Sequence, residues 1–178
     1  YFFREDFQLK TFVEEIVPEL CVEKKRQGNR SLRIWSAGCS TGKEPYTLAM
    51  VLKEFQLDRP DFRFDILGTD ICTEVLEKSV QGVYAEVKAA PIPEKLKKKY
   101  LLRSKDPENR MVRIVPELRA LARFRRLNFM DDDFGSPRVI ANMFELAPII
   151  NSLKDGLIAN DAITTQTLVY LKERFTTF

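Results

Sequence analysis

The stretch SAGCSTGKEPY, residues 36–46, lies between a short apolar run and a helical pattern. Residues 32–36 predict a β-strand, and the apolar residues that follow Pro45 recur at helical spacing. Pro45 suits the first turn of that helix, because an N–H at this position has no helical partner to lose. A strand that enters a helix through a glycine-containing loop is typical of parallel α/β sheets.

The residues that follow repeat this order of elements. Residues 62–68 predict a second strand, which leads into Thr69 and Asp70, and Thr73 is expected to cap the next helix. Strand, loop, helix, strand and helix in this order predict a parallel α/β sheet with right-handed crossovers. Ahead of the sheet, the apolar side chains of residues 5–26 share one face of a predicted helix.

A small antiparallel β-subdomain is predicted to be inserted at residues 84–121. At its centre is a hairpin, whose strands 100–103 and 110–115 flank a polar turn. The main sheet is predicted to resume at residues 122–129.

The last part of the chain predicts a different organisation. Residues 139–141 predict a short fourth strand, and the apolar side chains beyond it repeat at helical spacing. We therefore expect two domains, residues 1–142 and a helical tail at 143–178, with the sheet left incomplete.

Composition excludes several kinds of chemistry. The 178 residues carry a net charge of only +3, so no strong basic field indicates nucleic acid. The chain has no histidine and only three scattered cysteines, which excludes His-based catalysis and predicts no metal site. Sparse thiols fit a reducing cytoplasm, and no apolar run approaches the roughly 20 residues that span a bilayer. Because the first residue is Tyr1 rather than Met, we expect a segment upstream.

The loop in the opening stretch differs from a phosphate-binding P-loop at a decisive position. Gly42 and Lys43 match the motif G-x-x-x-x-G-K-[ST], but Ala37 replaces its first glycine and Glu44 its Ser or Thr. A carboxylate at position 44 would face phosphate oxygens at close range, which is repulsive by roughly a few kcal/mol. We therefore do not expect a P-loop.

An adenosine-type ligand suits the loop better. A dinucleotide loop has three glycines, whereas this loop has only Gly38 and Gly42, and Asp70 lies 28 residues beyond Gly42 rather than the usual roughly 20. Glycine still lets the chain pass close to a ligand. Asp70, at the end of a strand, can accept hydrogen bonds from both ribose hydroxyls.

The negative charge of Glu44 favours some adenosine-type ligands over others. A pyrophosphate requires hydrogen-bond donors at a helix start, whereas a cationic ligand is complementary to a carboxylate. S-adenosylmethionine carries both a sulfonium and an ammonium group. The residues alone leave simpler roles open, because an acid stabilises any helix start and Asp70 can be an ordinary turn residue.

Four sequence blocks carry a resemblance to a known family. They are YFFRED at 1–6, RIWSAGCSTGKEPYTLAMVL at 33–52, ILGTDICTEVLEKSVQGVY at 66–84 and FRRLNFMDDDF at 124–134. In their order and spacing they resemble the CheR-type chemotaxis-receptor glutamate O-methyltransferases. The resemblance covers residues 1–134, whereas the fourth-strand block of the family has no clear match near 138–150.

The resemblance implies an α/β fold, with a class I (Rossmann-like) methyltransferase sheet that carries a small inserted antiparallel β-subdomain. It implies S-adenosylmethionine as the cofactor, S-adenosylhomocysteine as the product and glutamate side chains of membrane chemoreceptors as methyl acceptors. Arg4 would be the catalytic residue, at the cofactor and methyl-transfer site. The residues implied to bind the cofactor are Arg4, Ala37, Gly38, Glu44, Asp70, Asn128 and Phe129.

The implied chemistry suits a protein without histidine. A glutamate acceptor, with a pKa of about 4.3, is already ionised at neutral pH and needs no general base. The protein has to align a carboxylate oxygen with the methyl carbon, and a guanidinium such as that of Arg4 can hold a carboxylate bidentately. At Lys43 the family usually has an acid. We expect Lys43 to have no contact role, because Glu44 beside it makes the contact.

The implied partner is the cytoplasmic domain of membrane chemoreceptors. The family's inserted subdomain can also bind the carboxy-terminal peptide of a receptor, by adding a strand to an exposed sheet edge. In this chain Arg103, Arg110 and Arg113 could meet an acidic peptide.

Two further interpretations stay open. The amino-terminal helical domain of the family has no counterpart in this sequence, and the tail departs from the family pattern. A non-catalytic module that binds S-adenosylmethionine or a partner is therefore an alternative to the enzyme. A methyltransferase with another acceptor is the third.

Overall fold

The computed structural model describes residues 1–4, 6–28, 31–106 and 108–128. The chain divides into two units, Tyr1–Asn128 and Phe129–Phe178. The second unit lies outside the described residues, and so do the fourth strand predicted at 139–141 and the predicted helical tail.

An interrupted helix opens the chain and confirms the helix predicted there. α1 is Asp6–Thr11, a π-helical turn covers Phe12–Ile16, and α2 is Val17–Arg26. Pro18 accounts for the interruption, since proline has no N–H for the carbonyl four residues earlier and its ring crowds that carbonyl. The backbone therefore widens into a π-turn just before α2.

The remaining elements alternate strands and helices. In chain order they are β1 (Ser31–Ala37), α3 (Lys43–Leu57), β2 (Arg63–Asp70), α4 (Thr73–Gln81), β3 (Val83–Ala85), α5 (Glu94–Tyr100), β4 (Leu101–Arg103), β5 (Met111–Ile114), α6 (Pro116–Arg119) and β6 (Ala122–Arg126). A short 3-10 turn, Glu86–Ala89, follows β3.

β1, β2 and β6 form the main sheet in that order, and all three strands are parallel, which confirms the predicted parallel α/β sheet. β2 is central, and its Ile66 pairs with Ile34 of β1 and Ala122 of β6. Ile66 is fully buried in the same core as Tyr46 and Met50 of α3. Because the strands are parallel, their carboxyl ends meet at one edge of the sheet, where such folds bind ligands.

The start of α4 corrects one prediction. Thr73 is the first residue of the helix rather than its cap, and the capping position is occupied by Cys72, whose side chain makes no capping hydrogen bond. The N–H of Cys72 instead donates to the Asp70 carboxylate, at 3.0 Å. This local hydrogen bond, of the kind that aspartate makes two residues ahead, leads the chain from β2 into α4.

The inserted strands form a second, antiparallel sheet in the order β3-β5-β4, which confirms the predicted antiparallel insert and its hairpin. Glu54 of α3 connects the insert to this helix, because its carboxylate accepts hydrogen bonds from Lys99 Nζ and from Tyr100 Oη, both at 2.6 Å. Burial opposes ionisation of Glu54, but these hydrogen bonds outweigh it and lower its pKa. The carboxylate is therefore ionised at neutral pH.

Gly68 of β2 lies close against the ring of Phe124 on β6. A Cβ at position 68 would lie 2.7 Å from Cδ1 and 2.8 Å from Cε1 of that ring. Real Cβ atoms do not approach this closely, so glycine is required here by space rather than by backbone conformation.

We expect Gly68→Ala to lower the free energy of unfolding by about 1–3 kcal/mol, because the added methyl forces the ring or the strand to move. Urea denaturation of the purified chain measures this change. Adding Phe124→Leu, which shortens and loosens the side chain, should restore part of the stability that Gly68→Ala loses. Strictly additive effects of the two substitutions would contradict the contact.

Candidate functional site

The loop that follows β1 is tied to the end of β2. The N–H of Cys39 donates to the carbonyl of Thr69 at 2.9 Å, and the N–H of Ser40 donates to Oδ2 of Asp70 at 2.8 Å. The two acceptor groups belong to Thr69 and Asp70, the last two residues of β2. The predicted ligand loop and the predicted strand-end acid are therefore held together at the carboxyl edge of the sheet.

Two glycines of this loop have different tasks. Both have left-handed backbone angles, with φ of +67° at Gly38 and +77° at Gly42. A Cβ at Gly42 would lie 2.9 Å from Cβ of Ser79 and 3.2 Å from Cζ of Phe124, so this glycine serves packing. No atom lies within 4 Å of a Cβ built on Gly38, so this glycine leaves open space beside the backbone, which a ligand can occupy.

Two buried hydroxyls contact carbonyl groups of the loop. Tyr84 Oη donates to the Thr41 carbonyl at 2.7 Å, and the one proton of Ser79 Oγ is shared between the Ser40 carbonyl at 3.0 Å and the Val75 carbonyl of its own helix at 2.8 Å. Tyr46 Oη donates to the carbonyl of Ser79 at 2.7 Å. Burial raises the pKa of Tyr46 to about 12 and that of Tyr84 further, so both phenols stay protonated and remain donors.

A cavity of about 400 Å³ opens beside the loop, which is a volume typical of small-molecule sites. Its walls come from the amino-terminal segment with the first helical turns, from the loop and from the start of α3. The lining residues are Tyr1, Arg4, Gln8, Leu9, Phe12, Gly38, Cys39, Ser40, Thr41, Lys43, Glu44, Thr47 and Leu48. The cavity thus brings together three predicted site residues, Arg4, Gly38 and Glu44.

The segment that carries Arg4 is fixed by its neighbours. Phe2 is only 1% exposed and meets the ring of Tyr84 edge-on, with 4.9 Å between ring centroids. The N–H of Phe3 donates to Oγ1 of Thr47 at 3.2 Å. These contacts hold the start of the chain over α3, and Arg4 becomes part of the cavity wall.

Glu44 is oriented by a residue that sequence reasoning missed. The hydroxyl of Ser36, buried at the end of β1, donates to Oε1 of Glu44 at 2.7 Å. A hydrogen bond to an ionised acceptor is stronger than a neutral one, so it fixes the carboxylate at the cavity wall. Ser36 lies two residues beyond Ile34 on β1, and side chains two residues apart on a strand point to the same face. This spacing is the sequence signal that could have identified Ser36 as an inward-facing residue.

Asp70 keeps acceptor capacity for a ligand. Its carboxylate accepts from the N–H groups of Ser40 and Cys72, which fixes its plane. An ionised carboxylate has about four lone-pair sites, so roughly two remain for further donors. Asp70 does not line the cavity itself, but its partner Ser40 does.

The remaining predicted residues lie around this edge. Ala37 ends β1, where it pairs with Thr69 of β2 and is exposed. Asn128 lies two residues beyond β6, next to Leu127, whose N–H donates to the carbonyl of Asp70 at 3.0 Å. Phe129 lies outside the described residues.

Lys43, for which no contact role was predicted, lines the cavity beside Glu44. Its ammonium donates to Oγ1 of Thr41 at 2.9 Å and lies 5.9 Å from the centroid of the Tyr84 ring. Burial lowers the pKa of Lys43, and the positive charge of Lys88 lowers it further.

Cys39, which also lines the cavity, is not a nucleophile at neutral pH. Burial raises the pKa of its thiol to about 11, and the nearby carboxylates of Asp70 and Glu44 act in the same direction. Since the thiolate is the reactive form, this thiol is inert.

A second cavity, of about 240 Å³, lies at the opposite end of β1 among Leu20, Cys21, Leu32 and Phe62. It contains none of the predicted site residues. Ligands of open α/β sheets bind at the carboxyl ends of the strands, so the larger cavity beside the loop is the candidate site.

No described helix combines the length and apolar character that crossing a membrane requires.

The geometry fits the cofactor that the resemblance implies. Gly38 leaves open space beside the backbone, Glu44 offers a fixed carboxylate to a cationic group, and Asp70 has lone pairs left for hydroxyls. An amino-acid cation at one end and a ribose at the other are complementary to this arrangement.

Comparison with known proteins gives two family matches. Residues 1–140 match the model described as CheR methyltransferase, SAM binding domain, and residues 127–178 match the model described as DALR domain. The predicted domain boundary between 142 and 143 stays a prediction.

Several chemotaxis methyltransferases are similar to the chain. The chemotaxis protein methyltransferase of Borreliella burgdorferi is 40% identical over 135 residues, which are 75% of this chain and 47% of the relative. Chemotaxis protein methyltransferase 2 of Pseudomonas aeruginosa is 41% identical over 63% of this chain and 40% of its own length. The Escherichia coli chemotaxis protein methyltransferase is 32% identical over 66% of this chain and 41% of its own length.

The chain spans about half the length of the curated relatives that it matches. The family model nevertheless covers most of the chain, and the matched part contains the parallel sheet, the small antiparallel sheet and the loop with its cavity. Both the predicted resemblance and the predicted fold class are confirmed. The chain belongs to the CheR methyltransferase family, and its residues 1–140 match the family's SAM binding domain.

Proposed function

We propose that the chain binds S-adenosylmethionine and transfers its methyl group to glutamate side chains of chemotaxis receptors, releasing S-adenosylhomocysteine. The observation that carries this proposal is the cavity in which Arg4, Gly38 and Glu44 meet beside the loop after β1. The names of the similar proteins, all chemotaxis protein methyltransferases, support the same reaction class.

The cofactor is held by groups at the carboxyl edge of the sheet. Glu44 binds its ammonium, Ala37 and Gly38 let the backbone pass close to it, and Asp70 binds the ribose hydroxyls. Asn128 and Phe129 border the adenine. When bound, the cofactor supplies a methyl group on a positively charged sulfur.

Arg4 holds the acceptor. A glutamate side chain is ionised at neutral pH, with a pKa of about 4.3, so the protein needs no base to activate it. The guanidinium holds the carboxylate bidentately and so orients one of its oxygens toward the methyl carbon. The bound cofactor would supply the methyl group to this oxygen, the carbon–sulfur bond breaking as the carbon–oxygen bond forms and sulfur keeping the electron pair. The protonated Cys39 thiol supports direct transfer rather than transfer through the protein.

The partner is the cytoplasmic domain of a membrane chemoreceptor, and the site of action is the cytoplasm. A carboxy-terminal receptor peptide binds by strand addition at β4, which is an edge strand of the small sheet. Arg103 and Arg110 provide positive charge near this edge, although Arg103 already lies 3.5 Å from the carboxylate of Glu86. Arg113 Nε donates to the Gln81 carbonyl at 3.2 Å.

The alternative is a non-catalytic module that binds S-adenosylmethionine or a partner. One observation favours it. The match to the CheR model ends at residue 140, and residues 127–178 match a DALR domain instead.

The cofactor part of the proposal is tested by titrating S-adenosylhomocysteine into the purified chain in a calorimeter. We expect binding, and we expect Glu44→Gln to weaken it about tenfold, because a charge-assisted hydrogen bond to the ligand ammonium is lost. Glu77→Gln, which neutralises an exposed acid on α4, is the matched control and should bind like the wild type. Absence of binding by the wild type would remove both methyltransferase interpretations.

The catalytic part is tested by methyl transfer to receptor-containing membranes. Arg4→Ala should lower the rate about 100-fold or more, since the acceptor carboxylate loses its positioning group. Arg26→Ala, at the exposed end of α2, should leave the rate unchanged. If the wild type and Arg4→Ala bind S-adenosylhomocysteine but are equally inactive, the non-catalytic module is the correct interpretation.

A further inference from the structure

The two residues that begin α3 carry opposite charges and share one cavity wall. Lys43 and Glu44 are consecutive in the chain, and both line the cavity beside the loop. Glu44 is fixed by Ser36, at 2.7 Å. Lys43 is fixed by Thr41, whose Oγ1 lies 2.9 Å from the ammonium nitrogen. Each charge therefore has a defined position before any ligand arrives.

The surroundings of the Lys43 ammonium favour the binding of an anion. Within residues 1–4, 6–28, 31–106 and 108–128, no carboxylate forms an ion pair with it. It is half-buried, and both its burial and the charge of Lys88 disfavour its protonated form. A bound carboxylate would offset both effects, because an opposite charge nearby favours the ionised form of each partner.

The charges on the cavity wall can be matched with those of the ligands. The ionisable groups among the lining residues include two cations, Arg4 and Lys43, and the carboxylate of Glu44. Methyl transfer to glutamate brings two carboxylates to this site, one on the acceptor and one on the amino-acid end of the cofactor. Arg4 is the group proposed for the acceptor and is also implied to contact the cofactor, and Lys43 is the second lining cation that a carboxylate of the cofactor can bind.

Proximity supports this pairing. In the cofactor, the ammonium and the carboxylate are attached to the same carbon atom, so the groups that bind them have to reach the same end of the ligand. Glu44 is the proposed partner of the ammonium, and Lys43 lines the same cavity. We propose that Lys43 binds the α-carboxylate of the cofactor, so that Lys43 and Glu44 together recognise its zwitterionic amino-acid end. This inference rests on the proposed function.

The test compares two ligands that differ in this carboxylate. S-adenosylhomocysteine and its decarboxylated analogue, which keeps the amine, are titrated by calorimetry into the wild type, Lys43→Met and Lys43→Arg. The wild type should bind S-adenosylhomocysteine about tenfold more tightly than the analogue, as expected for a charge-assisted hydrogen bond. Lys43→Met should bind both ligands equally, whereas Lys43→Arg should keep most of the preference.

Lys88→Met is the matched control, because Lys88 contributes charge near Lys43 but does not line the cavity. The Lys88→Met variant should still prefer S-adenosylhomocysteine to the decarboxylated analogue. This result would show that Lys43 binds the carboxylate directly, rather than through a general effect of positive charge. Circular dichroism confirms that each variant is folded.

The outcomes distinguish this inference from the proposed function. If the wild type binds neither ligand, the proposed function fails and the role of Lys43 fails with it. If the wild type binds and Lys43→Met keeps the full preference for S-adenosylhomocysteine, only the role of Lys43 is overturned. The same conclusion follows if Lys88→Met loses the preference to the same extent as Lys43→Met.

Discussion

The site depends on two hydrogen bonds that join the loop after β1 to the end of β2. The N–H groups of Cys39 and Ser40 donate to the Thr69 carbonyl and the Asp70 carboxylate, at 2.9 and 2.8 Å. They place the ligand loop and the strand-end acid in fixed relation, at the edge where the parallel strands end. Gly38 in this loop has open space beside its backbone. A cofactor that spans from the loop to Asp70 would find both of its contacts already oriented, so little ordering remains to oppose binding.

The hydroxyls behind the loop connect the site to the rest of the fold. Ser79 belongs to α4 and Tyr84 to the first strand of the small sheet, and their hydroxyls bind consecutive loop carbonyls. The same Tyr84 ring supports Phe2 and lies near the ammonium of Lys43. The insert, which is the proposed receptor-binding region, therefore contacts both the cofactor loop and the segment that carries Arg4. A partner bound to the insert and a ligand bound in the cavity would act on a shared set of contacts.

Local sequence patterns predicted the elements but not the contacts between them. The strands at β1 and β2, the helix after Pro45 and the hairpin at β4 and β5 follow from side-chain spacing and turn residues, which act over a few positions. The positions of Ser79 and Tyr84 depend on pairings some 40 residues away along the chain, and no local pattern encodes them. Lys43 was assigned no contact role because Glu44 beside it was expected to make the contact. The cavity that Lys43 lines is formed together with Tyr1 and Arg4 of the distant amino-terminal segment, a long-range contact that no local pattern encodes.

The central claim is that this loop, with Glu44 and Asp70, binds the cofactor. Amide chemical shifts of the ¹⁵N-labelled chain, measured during titration with S-adenosylhomocysteine, test it most directly. The account predicts that the largest changes fall on the amides of Gly38, Ser40, Glu44 and Asp70, while those of β4 and β5 stay in place. Saturable changes that spare the loop and appear at another surface, or no changes at all, would contradict it.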